Sequence, residues 1–259
     1  MTVARHQRAT LTLAPGGAAG YVLDGVPYGV PPRPDLEVSA LAARHAAALG
    51  LLEVQSGQGE EERAVRAAAV ARALGALAAG EGLGAADLTA LRADQPGAAG
   101  EVRVRTDGSA DKRDGSLSLG YLLGARPYGV VLRGAAGHEA LAEREAIRVA
   151  LMHARLLGFT GFHVQSDHKF HVRRYDEALI HRGRRKSASL ERLDALVDDL
   201  GDAVTFEYVE TLDTDAPHRL ALHARALLRL SAGQGLSRAQ AVAVRRVHYA
   251  LKLGGAGLY

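Results

Sequence analysis

Three carboxylates in this chain stand where side chains could be brought to one point. Asp107 lies in Thr106-Asp107-Gly108-Ser109, at the end of the alternating run Val102-Arg103-Val104-Arg105, which reads as a strand. Glu143 follows 36 residues later and Asp167 another 24 later, each at an end of its own expected element. Hard oxygen donors delivered from three element ends can hold divalent metal. Two such ions over a phosphodiester would stabilise the attacking and leaving oxygens together, so phosphodiester chemistry is the reading. His163, His168 and His171 also invite a zinc site, but nothing in the chain completes a ligand set for them.

The elements that must position these acids follow from hydrophobic period. Leu117, Leu119, Tyr121 and Leu123 alternate through a second strand, and residues 128–132 make a third after the turn Gly124-Ala125-Arg126-Pro127. Residues 138–157 have helical character, with Ile147, Ala150, Leu151 and Ala154 on one stripe and Glu143 one turn earlier on the same inward face. Glu145 sits about 200° around that helix from Glu143 and is expected to point outward. A fourth strand at 162–166 delivers Asp167. A basic loop, His181-Arg182-Gly183-Arg184-Arg185-Lys186, comes next, then a helix around 189–196, a fifth strand at 204–209 and a helix at 217–230. Residues 236–252 form a last helix, with Val244, Val247 and Leu251 on one stripe and Arg238, Arg245, Tyr249 and Lys252 on another face.

Composition bounds the class. At 259 residues the chain can bury a real core, and its apolar share of 47% is that of a soluble globular protein. No apolar run approaches a membrane-spanning length. The opening Met1-Thr2-Val3-Ala4-Arg5-His6 lacks the apolar stretch of a signal peptide, so a cytoplasmic location is expected. Without cysteine there is neither a disulfide framework nor thiolate chemistry. Net charge is only +3, yet residues 216–259 contain no acid and seven Arg or Lys, which favours a polyanionic partner such as nucleic acid.

The chain also repeats itself. Tyr21-Val22-Leu23-Asp24-Gly25-Val26-Pro27-Tyr28-Gly29-Val30 returns as Tyr121-Leu122-Leu123-Gly124-Ala125-Arg126-Pro127-Tyr128-Gly129-Val130, at an offset of 100. Val54-Gln55-Ser56 returns as Val164-Gln165-Ser166 at an offset of 110, and Glu37 is a gapped counterpart of Glu143. Ordered matches of this kind read as a duplication. The first copy has Leu13-Ala14-Pro15-Gly16 and Ser56-Gly57 where the second has its acids, so one half is expected to do chemistry. Asp94-Gln95-Pro96-Gly97-Ala98-Ala99-Gly100 reads as the linker.

The second half resembles the ribonuclease H family over roughly residues 101–230. Thr106-Asp107-Gly108-Ser109 matches that family's first catalytic motif and Ala142-Glu143-Arg144-Glu145-Ala146 its helix motif. The segments 189–196 and 206–209 are similar to its late helix and strand. The resemblance implies an α/β fold, with a mixed five-stranded sheet flanked by helices and a degenerate N-terminal repeat of the same fold. The implied divisions are a degenerate repeat at 1–99, a catalytic domain at 100–230 and a basic C-terminal helix at 231–259. It further implies an endoribonuclease that cuts the RNA strand of RNA–DNA hybrids with two Mg2+ or Mn2+ ions. Asp107 would bridge the ions, with Glu143 and Asp167 flanking it. The family's fourth carboxylate falls at His218 in Thr214-Asp215-Ala216-Pro217-His218-Arg219-Leu220-Ala221, so His218 or Asp215 would complete the second ion site. Gly108 and Ser109 would contact the substrate, and Arg184, Arg185 and Lys186 its backbone. A monomer whose halves pair internally is expected. Two alternatives stand beside this reading: a non-catalytic nucleic-acid-binding protein of the same fold, and a related nuclease acting on DNA.

Overall fold

Alternation sets the second half's sheet. The computed structural model describes residues 8–51, 53–111, 115–134, 137–176, 187–211 and 215–254. In the first half these form β1 (Arg8–Leu13), β2 (Gly20–Leu23), β3 (Val26–Gly29), α1 (Val38–Leu49), β4 (Glu53–Ser56), α2 (Glu61–Ala79) and α3 (Ala85–Asp94). The second half adds β5 (Glu101–Asp111), β6 (Ser116–Leu123), β7 (Arg126–Arg133), α4 (Glu139–Leu157), β8 (Gly161–Ser166), α5 (Lys169–Asp176), α6 (Ala188–Leu200) and β9 (Val204–Tyr208). The chain then continues through α7 (Asp215–Ser231) and α8 (Arg238–Lys252).

The second half is a five-stranded mixed sheet of order β7-β6-β5-β8-β9, with β8 and β9 parallel to β5 and the other pairs antiparallel. This is the element and strand pattern that the sequence resemblance implied. Strand β6 is buried along its whole length because it has a helix on each face. Leu117, Leu119, Tyr121 and Leu123 join the α4 core through Ile147, Ala150, Leu151 and Ala154. On the opposite face, Leu122 packs with Ala216 and Leu220 of α7. Gly120 lets α7 lie on the sheet, since a Cβ there would fall 1.9 Å from the Pro217 carbonyl oxygen.

The first half holds a smaller sheet of order β3-β2-β1-β4, with only β4 parallel to β1. Its hairpin pairs Gly20 with Gly29 and Tyr21 with Tyr28, as β6 and β7 pair Gly120 with Gly129 and Tyr121 with Tyr128. Each tyrosine pair stacks with ring centroids 5.4 Å apart. Behind each pair lies a histidine edge-to-face at 4.6 Å, His45 from α1 and His153 from α4. Helix α2 crosses Gly20 as α7 crosses Gly120, with a Cβ on Gly20 reaching to 2.1 Å of the Ala64 carbonyl oxygen.

Strand pairing corrects two details of the sequence alignment. Leu11 pairs with Leu23 and Ser56, while Val104 pairs with Leu123 and Val164, so Ser56 corresponds to Val164 rather than Ser166. Counting back from His45 and His153, Glu37 falls at the position of Glu145 rather than Glu143. The three-residue match at an offset of 110 is therefore out of step with the sheet by two residues.

The halves exchange helix ends. Ala73, Leu74, Leu77 and Ala78 of α2 enter the core of the second half, and Ala226, Leu227 and Leu230 of α7 enter the core of the first. An arginine grips each inserted end. Arg148 of α4 donates to the Ala78 carbonyl at 2.8 Å, and Arg44 of α1 donates to the Leu230 carbonyl at 2.6 Å. Val244 of α8 is also in the first half's core. His248 of α8 and His223 of α7 lie around Tyr28 with His45, all three imidazoles buried.

Candidate metal centre

Asp107 stands inside a strand, not at its end. Strand β5 runs on to Asp111, and Asp107 pairs with Gly120 of β6. The expected end at residue 105 came from the last alternating pair; beyond it the strand is held by β6 and by two helices. Gly108 permits the nearer helix, because a Cβ there would lie 2.2 Å from the Ala142 carbonyl carbon and 2.3 Å from the Glu143 nitrogen. The glycine thus lets α4 press its second turn, with Glu143, directly beside Asp107. Asp167 follows the last residue of β8, the strand parallel to β5.

The three acids meet. Asp107, Glu143 and Asp167 each offer one oxygen, all within 4.8 Å of one another, and among the described residues they are the one such group. Asp107 and Glu143 are buried and Asp167 is half-buried. Burial, followed by the charge of Asp107, pushes the Glu143 carboxyl well above its ordinary range. Its Oε2 is buried without a hydrogen-bond partner. A polar orphan among clustered carboxylates is what a bound cation would satisfy, and three hard oxygens suit a divalent ion. The residues fit a metal ion; the arrangement fixes neither its identity nor how many are held.

His218 is brought to the same place by α7. Its Nδ1 lies 2.8 Å from Asp107 Oδ2, and that hydrogen bond is the first cause raising its pKa above the ordinary imidazole value. The ring is half exposed, with its side chain 50% accessible. Asp215 takes another course: its carboxylate pairs with Arg219 at 2.7 Å and stays outside the three-acid group.

Other expected site residues separate. Gly108 is pressed against α4, while the Ser109 carbonyl accepts from Arg225 of α7 at 2.6 Å and from Ser118 Oγ at 3.2 Å. Arg184, Arg185 and Lys186 lie outside the described residues. His163 bonds Thr205 and Glu207 on the open face of the sheet, and His168 stacks on His171 at 4.2 Å, so the three do not converge. Glu145 points inward, contrary to its expected outward position. It is only 2% exposed and is held by Arg148 at 2.6 Å and Arg192 at 3.1 Å. More than one face of α4 is buried, because α2 and α6 cover it from further sides.

Sequence reasoning missed Arg144. This buried guanidinium neighbours Glu143 and donates through one nitrogen to Ser187 Oγ at 2.8 Å and Ser189 Oγ at 2.6 Å, while its Nε has no partner. Those serines open α6, whose N-cap Ser187 makes no side-chain cap bond. An arginine inside the apolar stripe of a helix gave no local signal.

Fold and site together define an α/β protein with a five-stranded mixed sheet and a cluster of three acids that could hold a metal ion. No family model and no curated protein matches the chain. Among solved structures it is similar to RNase H1 from the halophilic archaeon Halobacterium salinarum, at 19% identity and a TM-score of 0.41, covering 48% of this chain and 97% of that one. It is also similar to the N-terminal RNase H domain of a Mycobacterium tuberculosis protein, at 22% identity and a TM-score of 0.41, covering 49% and 96%. A third is LC11-RNase H1 in complex with an RNA/DNA hybrid, at 14% identity and a TM-score of 0.39, covering 46% and 92%. No described helix is long and apolar enough to cross a membrane.

Proposed function

We propose that this chain is a metal-dependent endoribonuclease of the ribonuclease H type, cutting the RNA strand of RNA–DNA hybrids with residues 100–230, and that its first half is a degenerate copy. The observation that carries the reading is the meeting of Asp107 on β5, Glu143 on α4 and Asp167 just after β8, the first two buried and the third half-buried. The motif resemblance of Thr106-Asp107-Gly108-Ser109 supports the substrate class. Asp107, Glu143 and Asp167 would hold two Mg2+ or Mn2+ ions, with His218 at the second, or Asp215 once it has left Arg219. Bound there, the ions would supply a nucleophilic water and neutralise the leaving oxygen. The protein's own part is to orient Asp107 through His218 and to bury the acids away from bulk water. The outer edge of the His218 ring, away from Asp107, can carry a proton to or from solvent. Arg144 ties the serines that open α6 to the helix carrying Glu143.

The degenerate copy is supported by the matched tyrosine–histidine triads and by the matched helix crossings at Gly20 and Gly120. Strand register sets Ala14 where the second half has Asp107, and no acid cluster forms there among the described residues. One observation favours the rival reading of a non-catalytic binder: His218 already occupies an oxygen of Asp107. Labelled hybrid, duplex RNA and duplex DNA incubated with Mg2+ or Mn2+ separate the readings. Cleavage of hybrid alone, abolished in Asp107→Asn, supports the proposal. Binding without cleavage supports the rival, and cleavage of DNA a related nuclease.

A further inference from the structure

Helix α7 touches the strand that carries Asp107 at two points. His218 in its first turn bonds Asp107, and Arg225 bonds Ser109 through both the carbonyl, at 2.6 Å, and the hydroxyl, at 3.2 Å. Seven residues separate the two on α7, close to two full turns, so they share one face about 10 Å apart. Their partners are two residues apart on β5, about 7 Å along the strand. Beside these grips the helix backbone lies directly on Gly120 at Pro217 and Ala221, a contact without side chains on the strand to set its register. Arg225 is itself buried at 5% exposure, so its hold is shielded from competing water.

The first half supplies the contrast. Aligning Ala64 over Gly20 with Pro217 over Gly120 sets Val65 opposite His218 and Arg72 opposite Arg225. Arg72, itself exposed, turns away to the half-buried carboxylate of Asp87 rather than to β1. The half without an acid cluster thus has the arginine but not the grip.

We infer that Arg225 is a positioning residue: by clamping Ser109 it fixes the axial placement of α7, and through it the alignment of His218 on Asp107. The inference rests on the metal-site reading above. Its test uses the full chain with Arg225→Met, Arg225→Lys, His218→Ala and the Arg225→Met/His218→Ala double variant on the hybrid substrate. Arg225→Met is expected to lower kcat by about tenfold or more, as a misplacement near 1 Å can, with KM changed less than about twofold. Arg225→Lys, which retains charge but cannot span both Ser109 atoms, recovers part of the loss. In the His218→Ala background the Arg225→Met effect should shrink to less than about twofold, because the residue acts through His218. Full additivity in that cycle would overturn the inference, as would an unchanged kcat.

Histidine 15N spectra give a readout independent of cleavage. The His218 Nδ1 resonance should move in Arg225→Met while those of His45 and His153 stay in place. If the natural chain cuts no hybrid, the proposed function fails and the spectra alone decide this inference. An unmoved His218 resonance then overturns it. Should Arg225→Met not fold, Arg225→Lys carries both measurements with a smaller expected change.

Discussion

Adding one methyl group at Gly120 should separate activity from stability. The Cβ of Gly120→Ala would fall 1.9 Å from the Pro217 carbonyl oxygen, and Cβ contacts under 3.0 Å essentially do not occur, so α7 must lift by about 1 Å or more at its first turn. His218 is the next residue, and its 2.8 Å bond to Asp107 cannot survive that displacement unchanged. Overpacking of this kind costs about 1–3 kcal/mol. For a chain of this size that corresponds to a loss of roughly 3–10 °C in Tm. Gly20→Ala is the matched control. Its Cβ would meet the Ala64 carbonyl oxygen at 2.1 Å, but the residue next on α2 is Val65, which carries no chemistry. Both variants are expected to melt lower by similar amounts in scanning calorimetry. On hybrid substrate, well below either Tm, Gly120→Ala should lose about a hundredfold in kcat and Gly20→Ala less than about threefold. Equal losses of activity in the two variants would refute the reasoning, since helix position over the acids would then not be what matters.

Acid should destabilise the fold through its buried histidines. Burial holds His223 at a pKa of about 4 and His153 and His171 at about 3, against 6.5 for the ordinary group. The unfolded chain therefore binds protons first. Stability is fully present above pH 6.5 and declines as pH falls, toward 4 for His223 and toward 3 for His153 and His171, by about 2 kcal/mol per histidine at pH 5. Urea melts at pH 7.5, 6 and 5 check this, and a flat profile would contradict it. Mn2+ at a hundredfold over its Kd should stabilise the natural chain by about 2.7 kcal/mol and leave Asp107→Asn unmoved in the same melt. Arg148→Met leaves Glu145, buried at 2% exposure, with only the exposed Arg192 as partner, and should cost about 3 kcal/mol; Glu145→Gln in the same chain should restore part of it by denaturant titration.

The second half was legible because its signals are local. Leu117, Leu119, Tyr121 and Leu123 alternate, α4 has an apolar stripe, and the spacing of Asp107, Glu143 and Asp167 follows from short elements joined in order. Features that depend on packing from a distance were not legible. Glu145 looked exposed because Arg192 reaches it from α6, 47 residues later, and because Arg148, its partner on α4, is itself held by the Ala78 carbonyl of α2. Strand β5 looked shorter because the residues past Arg105 are held by neighbours rather than by their own pattern. Arg225 looked like part of a basic tail, with no trace of its partner Ser109 at a separation of 116 residues. The histidines at 45 and 153, at an offset of 108, could have been found by extending the repeat beyond the tyrosine motif with a gap of eight residues.

The exchanged ends of α2 and α7 bear on how this chain can come apart. Each half completes its interior with a helix segment encoded by the other, and each borrowed segment is tethered by an arginine to its carbonyls. Neither interior is whole until both are made. The amides of α7 should therefore exchange with deuterium at the same slow rate as those of β2, although β2 lies in the half without an acid cluster. Melting should show a single cooperative transition, and a cut near residue 100 should yield two fragments that fold only when mixed.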